Sequence, residues 1–542
     1  MEHLTDKPYS RCVDGNELTE VNFDKNSLTY TLSIEPESQK YETNIVCDYA
    51  EILRKTEDEI EYGEPVTFYD KIDIPTTVDQ VYVRCYSNDE TIYKNTHAFV
   101  QDKRIPGTTE EEYVSILIIG IDSMSRSSFI RTMPKSWSYL ESNERWYDFP
   151  GYNRAGYATY ANLVPLLAGL VANSDDYPCR SNDVGGLDEC PFIWKEFEKH
   201  GYVTAFAEDT TAISTFNYLK KGFENPPTDH YLRPFLQSTG KIFQASGLCL
   251  GYKHTAEHVY DYMMDFAEMY SGSPYFGVFW TNTFSHDNPE WAFQMDERMR
   301  TYFEDLEHIL DETIVILVSD HGSRFGPARQ TKIGSIEENL PFLRISFPPS
   351  ILTEEVKKAV EINRARLISP FDIHKTLLDL IGEDTSIEGC EYCQSILKPI
   401  SPERNCDDAG IPKWYCSCNE FTDLEIDSDL VIYTSVKIVE YINHLKNSYK
   451  KGNFKSKCRD LSLGEIKDAR LYEYNNSSSH IFVTFTTKPN EGWFEVMVLY
   501  LNGQIVPNIY DETVHITRSN SYWADSSCIK ELALLSICSC YN

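Results

Sequence analysis

Long apolar runs are missing from this 542-residue sequence. The most apolar strand-like segment, Val114 to Ile121, is far shorter than the roughly 20 residues a bilayer-crossing helix needs, so no membrane span is expected in the chain as given. The opening Met1-Glu2-His3 has neither the charged leader nor the apolar core of a signal peptide; a signal or anchor is therefore expected to be absent from this sequence or already removed. Basic residues are scarce as well. Fifty Lys and Arg stand against 84 Asp and Glu, a formal charge of −34, which repels phosphate backbones and anionic membrane surfaces and argues against nucleic acid as a partner. Most of that acidic surplus is what a solvated surface carries. Internal repeats and low-complexity segments are missing too, which excludes solenoids and disordered tails as the organising feature.

Cysteine, by contrast, is abundant: fifteen residues, concentrated at Cys390, Cys393, Cys406, Cys416, Cys418, Cys458, Cys528, Cys538 and Cys540. That density predicts disulfides and an oxidising compartment, extracellular or in the secretory lumen. Cys390 and Cys393 have the spacing of a zinc-ligand pair, but no second C-x-x-C follows, so disulfides are the expectation there as well. The overlapping sequons Asn475-Asn476-Ser477 and Asn476-Ser477-Ser478 agree with a secreted glycoprotein.

A chain this long exceeds one ordinary core and predicts two or three domains. Residues 1–105 alternate in short segments such as Val81 to Tyr86 and read as a β-rich module. Residues 106–400 alternate apolar strands with helical patterns at Phe192 to Glu198, Thr255 to Met269, Trp291 to Leu310 and Pro370 to Ile381. The expected fold class is α/β, a mostly parallel sheet covered by helices on both faces. Residues 401–542 combine the cysteine-rich stretch with a helix at Leu430 to Asn443 and later strands, an α+β module. The 36 Tyr, 27 Phe and 8 Trp are mainly core material, with some available to line a sugar or lipid pocket.

In a parallel sheet, ligands gather beyond the carboxyl ends of the strands. Asp122 closes one predicted strand, Asp320 and His321 close another, and His286 and Asp287 lie just past a third. An aspartate in such a place is often only a helix cap; three strands ending this way are a stronger signal. Two carboxylates, an imidazole and a further oxygen suit Zn²⁺ or Mn²⁺, one or two ions, able to activate a hydroxyl. Thr159, at the start of a predicted helix, is the candidate hydroxyl, where backbone N–H groups favour an anion; an ordinary N-cap would occupy the same position. Arg126, Glu208, Asp209 and Arg324 are weaker candidates for substrate binding, set against surface ion pairs and caps.

The strand-end Asp122, Thr159-Tyr160-Ala161-Asn162 and Ser319-Asp320-His321-Gly322 resemble the metal aspartate, nucleophile loop and S-D-H-G of phosphodiesterases and phosphoethanolamine transferases in the alkaline-phosphatase superfamily. More closely, Ile119 to Arg126, Ala207-Glu208-Asp209, Lys221-Gly222-Phe223, Pro227 to Tyr231, Phe284 to Asp287 and Ser319 to Gly326 are similar to the animal family called domain of unknown function 229, from about Tyr93 to Cys418. The resemblance implies an alkaline-phosphatase-like fold and a covalent route: Thr159 attacks phosphorus, Asn162 holds a non-bridging oxygen, and the phosphoryl group is transferred or hydrolysed. Two departures stand out. The two-metal enzymes supply another histidine after S-D-H-G, where this chain offers Glu337 and Glu338, and the loop proline is Ala161 here.

The expected function is a secreted or ectodomain metal-dependent phosphodiesterase or phosphotransferase acting on a phosphoester, with lipid- and glycan-linked esters among the candidates. The alternatives are a sulfatase-like sulfoesterase, disfavoured because Thr159 is not in a Cys/Ser-x-Pro-x-Arg setting, and a non-catalytic extracellular binding protein retaining the fold. Substrate and oligomeric state are not written in the sequence. Because fifteen is odd, alkylation of native protein before reduction should label only a small minority of cysteines, at least one among them, as mass spectrometry will show; labelling of nearly all would overturn the oxidising compartment.

Overall fold

Ser115–Ile121 (β1), Ser-Ile-Leu-Ile-Ile-Gly-Ile, is buried along its whole length. Side chains alternate across a strand, so one that is apolar throughout needs cover on both faces. Leu117, Ile119 and Ile121 enter one core, Ile116 and Ile118 the other. The computed structural model describes residues 8–13, 17–35, 44–104, 113–172, 178–382, 392–448, 456–475, 478–501, 504–506, 514–520, 522, 524–530 and 532–541.

The remaining strands of this sheet are Trp146–Asp148 (β2), Val203–Glu208 (β3), His230–Tyr231 (β4), Tyr275–Thr281 (β5), Thr313–Val318 (β6) and Leu343–Ser346 (β7), in the order β2-β7-β6-β1-β5-β3-β4. The pairs from β6 to β4 are parallel, and β7 runs antiparallel to both its neighbours. The expected class, a mostly parallel α/β sheet between helices, is what the structure shows. Among the helices are Arg126–Thr132 (α1), Thr159–Ala168 (α2), Thr255–Met269 (α3) and Ala292–Asp305 (α4). Helix α2 packs its Leu163, Val164, Leu166 and Leu167 into the core that holds Ile116, whereas α3 and α4 bury Val259, Phe266, Met295 and Phe303 in the core that holds Leu117. N-terminal strands, among them Thr29–Ile34 and Gln80–Ser87, contribute Leu32, Ile34, Val81 and Val83 to the latter.

The chain divides into two compact units, residues 1–323 with 337–411, and residues 324–336 with 412–542. The second is built on a six-stranded antiparallel sheet from Phe421–Asp423 to Val514–Arg518, and Val431, Ile438 and Ile442 of helix Asp429–Ser448 pack on it. Within that unit Arg329 makes a buried bidentate pair with Glu495, 2.6 and 2.8 Å.

Disulfides among the described cysteines include Cys12–Cys249, Cys47–Cys85, Cys179–Cys190, Cys458–Cys538 and Cys528–Cys540. Cys393, Cys406 and Cys416 are also disulfide-bonded, which removes Cys393 as a zinc ligand, and Cys418 is a free thiol. Such bonding belongs to an oxidising, non-cytosolic compartment. Cys390, the sequon residues Asn476 and Ser477, and the expected boundary near Ile105 lie outside the described residues. No helix among the described residues is long and apolar enough to cross a membrane.

Gly120 is required by the sheet itself. A Cβ there would stand 1.8 Å from Cε3 of Trp280, whose ring lies wholly buried on the adjacent β5. Gly120→Ala should therefore destabilise the protein by about 1–3 kcal/mol or more in denaturant unfolding, since the ring has no room to retreat; an unchanged midpoint would contradict this packing.

Candidate active site

β6, β1 and β5 lie side by side and parallel, so their carboxyl ends share one rim. Asp122 follows β1 directly, and its backbone N–H donates to the carbonyl of Thr281 at 2.9 Å, extending the ladder one residue further. The next residue, Ser123, turns into the left-handed region at φ 58°, a conformation that costs a non-glycine residue on the order of 1 kcal/mol. Two bonds hold it there: its N–H donates to Asp320 Oδ1 at 3.0 Å and its hydroxyl to Asp122 Oδ1 at 2.8 Å. Ser319 braces the other strand end, its hydroxyl accepting from the Met124 N–H at 3.0 Å and donating to the His321 carbonyl at 3.1 Å. At Gly322 a Cβ would meet the Glu337 carbonyl oxygen at 2.5 Å, so the glycine of Ser-Asp-His-Gly permits a close backbone crossing.

One ligand-type atom from each of Asp122, Asp320 and His321 lies within 4.8 Å of the others, all three residues buried. His321 Nδ1 is 2.8 Å from the Gly322 carbonyl, which assigns the ring proton to Nδ1 and turns Nε2 inward as an acceptor. Nε2 stands 3.1 Å from Asp320 Oδ2 and 3.9 Å from Asp122 Oδ1. Asp320 Oδ2 is buried and receives no hydrogen bond from the described residues.

Thr159 completes the group. It is the first residue of α2; Ala158 is the N-cap and makes no side-chain cap bond. The hydroxyl of Thr159 therefore does not cap the helix; it points to Asp122 Oδ2 at 3.4 Å. Pro165 within α2 has no N–H to offer the Ala161 carbonyl, and Gly156 packs so near that oxygen that a Cβ would fall 2.3 Å from it.

Asn162 has a different task from the expected contact with a phosphoryl oxygen. Its Oδ1 accepts from the N–H groups of Ala155 and Gly156 at 2.9 and 2.7 Å, and its Nδ2 donates to the carbonyls of Gly156 and Ala158 at 3.0 and 3.2 Å. An amide has two donors and two acceptor sites, and all four are engaged. Asn162 thus braces the loop leading to Thr159.

The other candidates do not join the cluster. His286 Nδ1 pairs with Asp287 Oδ1 at 2.7 Å, and Asp287 is largely exposed. Arg126 clasps Asp148 at 2.6 Å and covers the Trp137 ring. Asp209 accepts from the N–H groups of Asn282 and Thr283 and the Thr283 hydroxyl, fixing the turn after β5. Arg324 belongs to the second unit, its guanidinium 5.4 Å from the Phe325 ring centre. Glu208 is buried and accepts from both the N–H and hydroxyl of Thr215 at 2.8 Å. One residue escaped the sequence reading: Lys220, 4.5 Å above the Tyr160 ring, its pKa lowered to about 8 by burial against the opposing pull of Glu208. A single lysine carries no sequence signal of such a position.

Burial raises the Glu208 carboxyl to about 7, outweighing the Thr215 hydrogen bonds. An acid raised on folding is stabilising when protonated, and that contribution is lost as pH climbs from the ordinary carboxyl value through 7. Glu208→Gln should accordingly gain stability over wild type between about pH 4.5 and 7, by on the order of 3 kcal/mol, then hold level. Unfolding curves across that range check it; a pH-independent difference would refute the buried acid.

No curated protein matches the chain. Similar solved structures include a protein in the alkaline phosphatase superfamily from Vibrio parahaemolyticus, 14% identical over 75% of this chain and 84% of that one, with TM-score 0.38. The C-terminal periplasmic domain of EptC from Escherichia coli in complex with Zn is 11% identical over 55% and 90%, with TM-score 0.39. The phosphonate monoester hydrolase from Silicibacter pomeroyi is 12% identical over 72% and 89%, also with TM-score 0.39. Likenesses of this degree say nothing of this chain's chemistry. The family model described as protein of unknown function (DUF229) matches residues 5–467, and the chain belongs to that family.

Proposed function

We propose that this protein is an extracellular or lumenal metal-dependent phosphoester hydrolase or phosphotransferase that works through a phospho-threonine at Thr159. The observation supporting it is the convergence of two carboxylates, an imidazole and a hydroxyl from positions 122, 159, 320 and 321, with one buried carboxylate oxygen that no donor among the described residues reaches. Two buried like charges so close together call for a cation, and the oxygen and nitrogen donors fit Zn²⁺ or Mn²⁺, held by Asp122, Asp320 and His321. Bound there, the ion would supply Lewis-acid stabilisation of phosphoryl charge. One ion is favoured over two. Glu337 is clamped by Arg131 at 2.6 and 2.9 Å, and Glu338 is paired with Arg154 at 2.6 Å, so neither glutamate replaces the histidine missing after Gly322.

In this reading Thr159 Oγ1 gives its proton toward Asp122 Oδ2 and attacks phosphorus, forming the Oγ–P bond as the substrate alkoxide leaves. A water or acceptor alcohol then takes the phosphoryl group and frees Thr159. Helix α2, which begins at Thr159 without a side-chain cap, would offer its first-turn N–H groups and positive end to the phosphoryl oxygens. Asn162 acts as a positioning residue through the loop it braces. The substrate in this reading is a phosphoester, lipid- and glycan-linked esters among the candidates, and the acidic chain disfavours nucleic acid.

Thr159→Ala should abolish turnover of phosphate diesters and monoesters, by about 10³-fold or more, while circular dichroism and metal content stay near wild type. Asp320→Asn removes an anionic ligand and should weaken metal affinity at least about tenfold, with turnover recovering at high metal concentration. Hydrolysis of sulfate but not phosphate esters would convert the reading to a sulfatase. Wild-type protein that carries stoichiometric metal yet cleaves none of a broad ester panel would leave only a binding role.

A further inference from the structure

Within the first unit, N-terminal strands and helices α3 and α4 line an open hollow of about 1150 Å³, slightly larger than most small-molecule sites. None of Asp122, Thr159, Asp320 and His321 lines it. One wall is the segment from Tyr9 to Val13, and it is fastened in place. Cys12 is bonded to Cys249, the Tyr9 ring stacks on His254 at 4.8 Å, and the Tyr9 hydroxyl donates to Glu257 Oε2 at 3.1 Å. Because a covalent bond holds that wall, the hollow is preformed and does not depend on a ligand to open it.

Helix α3 turns Asp261, Tyr262 and Asp265 toward the hollow at helical spacing, and α4 turns Arg298 and Tyr302. Most of these charges are answered. Asp261 is held by Lys253 at 2.7 Å and by the Tyr302 hydroxyl at 2.6 Å, and Arg298 donates to Glu257 at 2.7 Å. Among the described residues Asp265 has neither hydrogen bond nor ion pair. Asp265 is exposed where it lines the hollow, yet desolvation by the chain packed around it, followed by the charge of Asp261, pushes its carboxyl up to about 6. The hydroxyls of Tyr30 and Tyr262 are near enough to feel its charge. Acidic side chains outnumber Lys and Arg by six to three in the described lining, so an anion would meet net repulsion.

We propose that this hollow binds an organic cation, an ammonium or guanidinium carried on an apolar or aromatic body, with Asp265 as counter-charge and tyrosine rings as walls. A carboxylate that lines a concave wall with no basic partner among the described residues is stabilised by an entering cation, and aromatic faces attract the same charge. Neither a neutral sugar nor an anion would answer Asp265. The inference is independent of the ester chemistry at Thr159.

Ligand-observed NMR of the whole chain should compare benzyltrimethylammonium with neutral 2-phenylethanol and anionic phenylacetate, on wild type and on Asp265→Asn. The cation is expected to bind wild type at least tenfold more tightly than either other probe, and to lose at least tenfold in the variant, whose circular dichroism and melting temperature stay unchanged. If the variant fails to fold, selectivity among the three probes on wild type decides alone. Absence of cation binding, equal binding of the alcohol, or undiminished binding to the folded variant would overturn the proposal.

Discussion

Two carboxylates and an imidazole buried together at the ends of β1 and β6 are the constraint to which the surrounding structure answers. Removing each ion from water costs several kcal/mol, and like charges at this separation add to that cost. The local geometry is arranged to hold them nonetheless. Ser123 takes a left-handed conformation so that its N–H and hydroxyl reach both aspartates, Ser319 ties the two strand ends together, and Gly322 lets the chain cross against Glu337. The basic groups around this rim are engaged elsewhere: Arg126 with Asp148, Arg131 with Glu337, Arg154 with Glu338. The charge of the cluster is thus left for something other than an arginine.

Precision at that cluster comes from the sheet beneath it. β1, β5 and β6 each send alternate residues into two separate cores, which fixes their register, because a slip of one residue would exchange the two faces. Gly120 and Trp280 make the adjacent rows interlock just below Asp122. The same division explains the N-terminal strands: their apolar side chains complete the core on the α3 and α4 face, and the hollow beside them is where that packing stops.

Much of this was legible in the sequence. Thr255–Met269 and Pro370–Leu380 fall where periodicity predicts them, because each is long, uninterrupted and amphipathic. The short strands Trp146–Asp148 and His230–Tyr231 were not legible, having too few residues for any period, and neither was the reversed direction of β7, which depends on pairing. At the site, residue types and strand ends pointed to Asp122, Asp320, His321 and Thr159. Those cues could not tell a bracing amide from one facing substrate at Asn162, nor show that Arg126, Glu208 and Asp209 already had partners.

The sequence by itself determined the α/β class, the disulfide-rich chemistry and the set of candidate groups, because these follow from residue type and local periodicity. The tertiary structure decided which of those groups meet. Asp122 and Asp320 are almost two hundred residues apart, and only parallel pairing of β1 with β6 carries them to one rim. The same folding gave Asn162, Arg126, Glu337 and Glu338 their partners and left Asp265 without one among the described residues. Burial and partnership depend on distances across the fold, and nearest neighbours in the chain do not encode them.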